Sequence, residues 1–157
     1  MINYIFREEY RITDTDWSIR EKRWKKKLPE SFKSFFKDYN GAVPEKPIKI
    51  DEKNVIERFL CIVPDIGNSE NGHYDMDAVI TRYDEFMVFD GDSKGYDLIP
   101  FARLNHDSLL CLCYDTVSPC VAVWQLQGSE EFKPNYNKKY VSFDAFVSNV
   151  IQSGAEK

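Results

Sequence analysis

The chain has 157 residues, of which 43% are hydrophobic and 15% aromatic. That length fits one domain, which buries roughly two thirds of its unfolded surface, and the apolar content excludes global disorder. The formal net charge of −5 repels nucleic-acid phosphate, so neither DNA nor RNA is expected as the main partner.

The charge is unevenly spread. Residues 1–27 carry eight Lys/Arg against five Asp/Glu, and residues 28–157 carry thirteen against twenty-one. A single domain over 1–157 is expected, divided into a basic helical extension, 1–27, and a core, 28–152. Arg7, Glu8, Glu9, Arg11, Asp14 and Asp16 stud the start of the chain, which therefore lacks the pattern of a secretion signal. The apolar stretches at 109–114 and 120–124 fall far short of the ~20 residues of a membrane helix. A cytoplasmic protein with no membrane partner is expected, its four cysteines (Cys61, Cys111, Cys113, Cys120) reduced.

In chain order, Thr13, Asp14, Thr15 and Asp16 offer N-caps for a helix over 17–26. Trp17, Ile19 and Trp24 stand there among Arg20, Lys22, Arg23, Lys25 and Lys26, a basic helix with little apolar face. A solvated surface helix is the first reading, and contact with an anionic membrane or nucleic acid the second. Leu28, Phe32, Phe35, Phe36 and Tyr39 recur at helical spacing, with Pro29 at the entry and Asn40-Gly41 as a left-handed stop. Ile48 and Ile50, then 55–56 and 59–63, read as strands closed by Pro64. Residues 74–86 read as a helix with Ala78, Val79, Tyr83 and Phe86 inward. Strands are expected at 87–89, 98–104, 108–114 and 121–126, and the short gaps between them favour antiparallel pairing. At the end, Ser142 caps a helix whose stripe is Phe143, Phe146, Val147, Val150 and Ile151, with Gly154 as terminator. The fold class is α+β: a mostly antiparallel sheet of about five or six strands, helices packed against it and helices near both termini.

Four segments in this order resemble the SUKH superfamily, which takes in yeast cell-wall-assembly regulators and many bacterial toxin-immunity proteins. They are Leu28-Pro29-Glu30 through Phe35 to Tyr39-Asn40-Gly41 with Pro44; Leu98-Ile99-Pro100-Phe101-Ala102; Leu110-Cys111-Leu112-Cys113-Tyr114-Asp115; and Ser142-Phe143-Asp144-Ala145-Phe146. The resemblance implies a mostly antiparallel sheet with helices against it and no catalytic residues to transfer. It also implies a cognate toxin protein as the partner, neutralised by occlusion, or alternatively a regulatory scaffold role like that of the yeast members. Where many members carry a Gly-rich turn after the Pro-Phe-Ala strand, this chain has Arg103-Leu104-Asn105-His106-Asp107.

The residues that could carry chemistry read mostly as structure. Cys111 and Cys113, alone or with Cys61, Cys120, His73 or His106, lack the spacing of structural zinc and read as small core residues. A Cys/His/Asp set from Cys111 or Cys113 with His106 and Asp107 would need base and thiol to meet in a cleft, and with only two histidines in the chain, one of them in a polar turn, His106 reads as a solvent-exposed turn residue. Asp90-Gly91-Asp92-Ser93-Lys94-Gly95 lacks the further ligands of a calcium loop and reads as a turn. No cofactor, metal or catalytic residue is assigned, and the chain does not read as an enzyme.

There remains the acidic stretch 65–97, with nine carboxylates against Arg82 and Lys94. One reading is a solvated, solubilising face. The other is a docking face in which Asp75, Asp77, Asp84, Glu85, Asp90, Asp92 and Asp97, flanked by Tyr74, Tyr83 and Tyr96, meet a basic cleft such as a nuclease toxin carries. Oligomeric state is not legible from the sequence.

Overall fold

The computed structural model describes residues 2–89 and 95–152. Its main sheet has six strands in the order β3 (Ile48–Lys49), β4 (Val55–Phe59), β5 (Leu98–Leu104), β6 (Ser108–Cys113), β7 (Cys120–Glu130) and β8 (Lys133–Tyr140). Every neighbouring pair is antiparallel. A separate two-stranded ladder joins β1 (Tyr4–Phe6) to β2 (Val43–Pro44). The helices are α1 (Asp14–Trp24), α2 (Glu30–Tyr39), α3 (Met76–Tyr83) and α4 (Phe143–Phe146), the last continued by a wide turn over Val147–Gln152. This is the α+β arrangement that the sequence predicts.

Helix α2 buries Phe32, Phe35 and Phe36 because residues three and four apart share one helical face. Phe32 is the hub of an aromatic cluster, with ring centroids 5.8 Å from Trp17, 4.8 Å from Phe36, 5.8 Å from Phe101 and 5.2 Å from Phe143. Helix α2, the centre of the sheet and α4 therefore share one core. Gly41, at φ 64, takes the left-handed position after α2. The buried Asn40 then joins two segments: its amide donates to the carbonyls of Tyr10 and Ile62, and its oxygen accepts from Ile62 N–H.

Several elements differ from the sequence reading. Helix α1 is not a solvated surface helix: Trp17, Arg20 and Trp24 form a narrow stripe that is buried. Ile12, Trp17 and Trp24 belong to the same core cluster as the sheet, so that core begins upstream of Leu28. Residues 87–89 form no strand. Met87 and Val88 are buried, but Phe89 N–H and Met87 C=O bond to Asp97, by its carboxylate at 2.9 Å and its N–H at 3.1 Å. Helix α3 is shorter than 74–86, being cut by the Asp75 N-cap and by Asp84 at φ 27, with tight 3-10 turns on either side.

Strands β1 and β8 carry too little apolar alternation to be read from the sequence. Strand β8 is an edge strand, and Pro134, Lys138 and Lys139 suit an edge, where a missing N–H costs little and charge deters further pairing. The turn that replaces the Gly-rich one is a hairpin in which His106 (φ 58) and Asp107 (φ 56) are both left-handed, a conformation that His and Asp tolerate better than most residues. Gly154 lies outside the described residues.

Candidate functional site

The carboxylates of the acidic stretch divide sharply by burial. Asp75, Asp77 and Asp97 do not face solvent as the sequence predicts; they are 0%, 8% and 8% exposed. Asp75 caps α3 by accepting from Asp77 N–H at 2.8 Å, and its other oxygen accepts from Val63 N–H at 3.0 Å. Asp77 accepts from Trp24 Nε1 at 2.8 Å and from Arg23 Nη1 at 2.6 Å, with Arg20 Nε at 3.4 Å. Lys26 Nζ stands 3.6 Å from Asp97. The basic residues of α1 and the acidic residues around α3 thus neutralise one another, because buried carboxylates need partners. Burial pushes the Asp75 carboxyl above its ordinary range, against its two backbone donors and the nearby Arg20.

The other predicted contact residues that the structure describes reach the surface. Asp84 and Glu85 are exposed, Tyr74, Tyr83 and Tyr96 half-buried. Tyr96 donates to Asp84 at 2.8 Å, and burial together with that carboxylate pushes its phenol up to about 12. Tyr83 packs on Trp124 with ring centroids 4.9 Å apart. Asp90 and Asp92 lie outside the described residues.

Beside this face lies a feature that the sequence reading missed. A cavity of about 140 Å3 opens between α3 and strands β5 and β6, with Leu60, Val79 and Leu109 as its apolar wall and His73, Tyr74, Tyr83, Arg82, Arg103 and Asp107 among its polar lining. Arg82 donates to the His73 carbonyl at 2.9 Å, and Arg103 reaches the Tyr74 hydroxyl at 3.4 Å. Arg58 lies over the Tyr74 ring, 3.7 Å from its centroid. Arg58 and Arg103 are directly opposite each other on β4 and β5. Their signal in the sequence is weak, each being a single arginine within an apolar strand.

The cysteine-centred alternatives come out differently. His106 and Asp107 are exposed on the hairpin turn, whereas Cys111 and Cys113 are buried in β6. Burial pushes Cys111 well above the usual thiol range and Cys113 up to about 12. Cys113 and Cys120 face each other across β6 and β7, and with Asp115 they place three potential ligand atoms within 4.8 Å of one another. Lys138 already forms an ion pair with Asp115. A cation there would meet that ammonium and a thiol reluctant to ionise, so the set suits packing better than metal binding.

The antiparallel sheet with its helices defines an α+β domain, and among the described residues no helix is long and apolar enough to cross a membrane. The chain matches the family model described as SMI1 / KNR4 family (SUKH-1) over residues 11–149. It belongs to that family. No curated protein and no solved structure matches it.

Proposed function

We propose that this protein is an immunity protein: it binds a cognate bacterial toxin domain and neutralises it by occlusion, without catalysing a reaction. The match to the SMI1 / KNR4 family (SUKH-1) over residues 11–149 carries this reading, since the SUKH resemblance implies protein binding and toxin immunity. The contact face we assign comprises Tyr74, Tyr83, Asp84, Glu85 and Tyr96, together with Asp90 and Asp92. Half-buried tyrosines and the exposed carboxylates of Asp84 and Glu85 suit a partner with a basic cleft, as a nuclease has, because aromatic anchors supply contact area and the charges speed encounter. Asp75, Asp77 and Asp97 contribute from beneath, by fixing α3 and the segment that follows it against α1.

Co-expression with the cognate toxin domain tests the proposal. Growth should be restored and the two proteins should co-purify. Continued growth arrest in the presence of folded protein would defeat the immunity reading and favour the regulatory scaffold role of the yeast members.

A further inference from the structure

Arg82, Arg103 and His73 line one small cavity in a protein of net charge −5, and a third arginine, Arg58, stacks on Tyr74, which lines it too. Among the described residues, Arg58, Arg82 and Arg103 form no ion pair, although Lys and Arg elsewhere pair with carboxylates nine times. Asp107 lines the same cavity without coming within ion-pair distance of them. Arg58 and Arg103 are register partners, and like charges directly opposite on neighbouring strands oppose folding. The Nε and Nη2 atoms of Arg58 are also buried with no hydrogen-bond partner, an arrangement that burial ordinarily penalises.

The guanidiniums are partly tethered as well. Arg82 is held at one nitrogen by the His73 carbonyl, Arg103 at one nitrogen by the Tyr74 hydroxyl, and Arg58 by stacking on the Tyr74 ring. Each keeps further N–H donors uncommitted. A planar fork fixed at one end and free at the other is preorganised for an oxyanion.

We infer that this cavity is an anion pocket that receives the carboxylate of an Asp or Glu side chain presented by the protein partner, with Arg82 and Arg103 as its hydrogen-bonding forks. The inference rests on the reading of the partner as a protein. A carboxylate fits better than a nucleic-acid phosphate for two reasons. The wall of Leu60, Val79 and Leu109 suits a short aliphatic stem in about 140 Å3, and the negative field of the whole molecule repels a polyanion but admits a single charge on an otherwise basic surface. The acidic face around Asp84 and the pocket beside it then form a mixed-charge surface, which sets the register of a partner as well as attracting it.

NMR titration of the isolated protein, following the arginine Nε–H signals and the Tyr74 amide, tests this with two probes: doubly blocked glutamate and inorganic phosphate. Blocked glutamate should saturate the Arg82 and Arg103 signals with a Kd on the order of 10 mM, as two charge-assisted hydrogen bonds in a half-open site allow. The double variant R82Q/R103Q should weaken binding at least tenfold. R103K, which retains charge but not the fork, should weaken it about fivefold and serves if the double variant does not fold. Unsaturable shifts, or a response unchanged in both variants, would overturn the pocket. Saturation by phosphate and not by blocked glutamate would overturn the carboxylate assignment. Because no toxin is present, a failed titration leaves the immunity reading standing, and failed rescue of growth with a successful titration strikes that reading alone.

Discussion

The α1–α3 contact and the cavity between α3 and strands β5 and β6 use the same kinds of charge to opposite ends. At the first, Asp75 and Asp77 are buried, and Arg20, Arg23, Trp24 Nε1 and backbone N–H groups meet their oxygens. At the second, Arg82 and Arg103 line the cavity and Arg58 stacks beside them on Tyr74, and among the described residues no carboxylate pairs with any of the three. A buried charge without a counter-charge is expelled by the energetics of folding, so the first arrangement follows from the need to bury α1. Folding gives no comparable reason for the second, which is what would be expected of a surface shaped for something outside the chain.

The comparison breaks most visibly at Asp77. Replacing it by Ala leaves the Trp24 indole N–H buried without its acceptor and takes from the buried Arg20 the nearer of its two carboxylates, and urea denaturation should show a loss of about 3–5 kcal/mol, similar to truncating the core hub by Phe32→Ala. A loss below about 1 kcal/mol would mean that water replaces the carboxylate and the network is not structural.

Asp75→Asn sharpens the picture through pH. The folded carboxyl titrates above its ordinary 3.8 because it is buried. Its contribution to stability is therefore full below that value and declines as pH rises through the folded value. The Tm advantage of the native chain over Asp75→Asn should be largest near pH 4 and should narrow toward neutrality. An advantage that widens with pH would show that Arg20 and the two N–H donors outweigh burial.

The arginine pocket should behave in the contrary way. The R82Q/R103Q double variant should change stability by no more than about 0.5 kcal/mol in the same urea experiment, since both side chains are exposed. Affinity for the partner, measured by calorimetry, should nevertheless fall at least tenfold. A large loss of stability would place these arginines with the structural network instead.

At the smallest scale, Cys111 and Cys113 should resist alkylation in the folded protein at pH 8. Burial raises both thiols, Cys113 to about 12, and thiolate is the reactive form. Rapid labelling of either, read by mass spectrometry, would contradict the packed sheet.

How much was legible in the sequence follows from the same physics. Helix α2, strands β5 to β7 and the capped start of α4 carry strong periodicity or clear caps, and the structure places them where those signals point. Strand β8 escaped because an edge strand has no buried face to write alternation into Lys133–Tyr140. Helix α1 was misjudged because its apolar stripe is only Trp17 and Trp24, with Arg20 completing it through distant carboxylates that no local pattern reveals. Of the proposed contact face, the tyrosines and Asp84 and Glu85 were legible only as aromatic and acidic residues of the stretch 65–97. Arg58, Arg82 and Arg103 were not, since they lie far apart in the chain; only the seating of α3 brings Arg82 and Arg103 to one cavity, and only strand pairing sets Arg58 opposite Arg103.

Titrating purified toxin domain with this protein and following the toxin's activity is the most direct test of neutralisation by association. Activity should fall linearly and vanish at one equivalent, and it should return when the complex is dissociated by salt, in step with a charged interface. Full inactivation at a small fraction of an equivalent, or activity unaffected by an excess of folded protein, would contradict it.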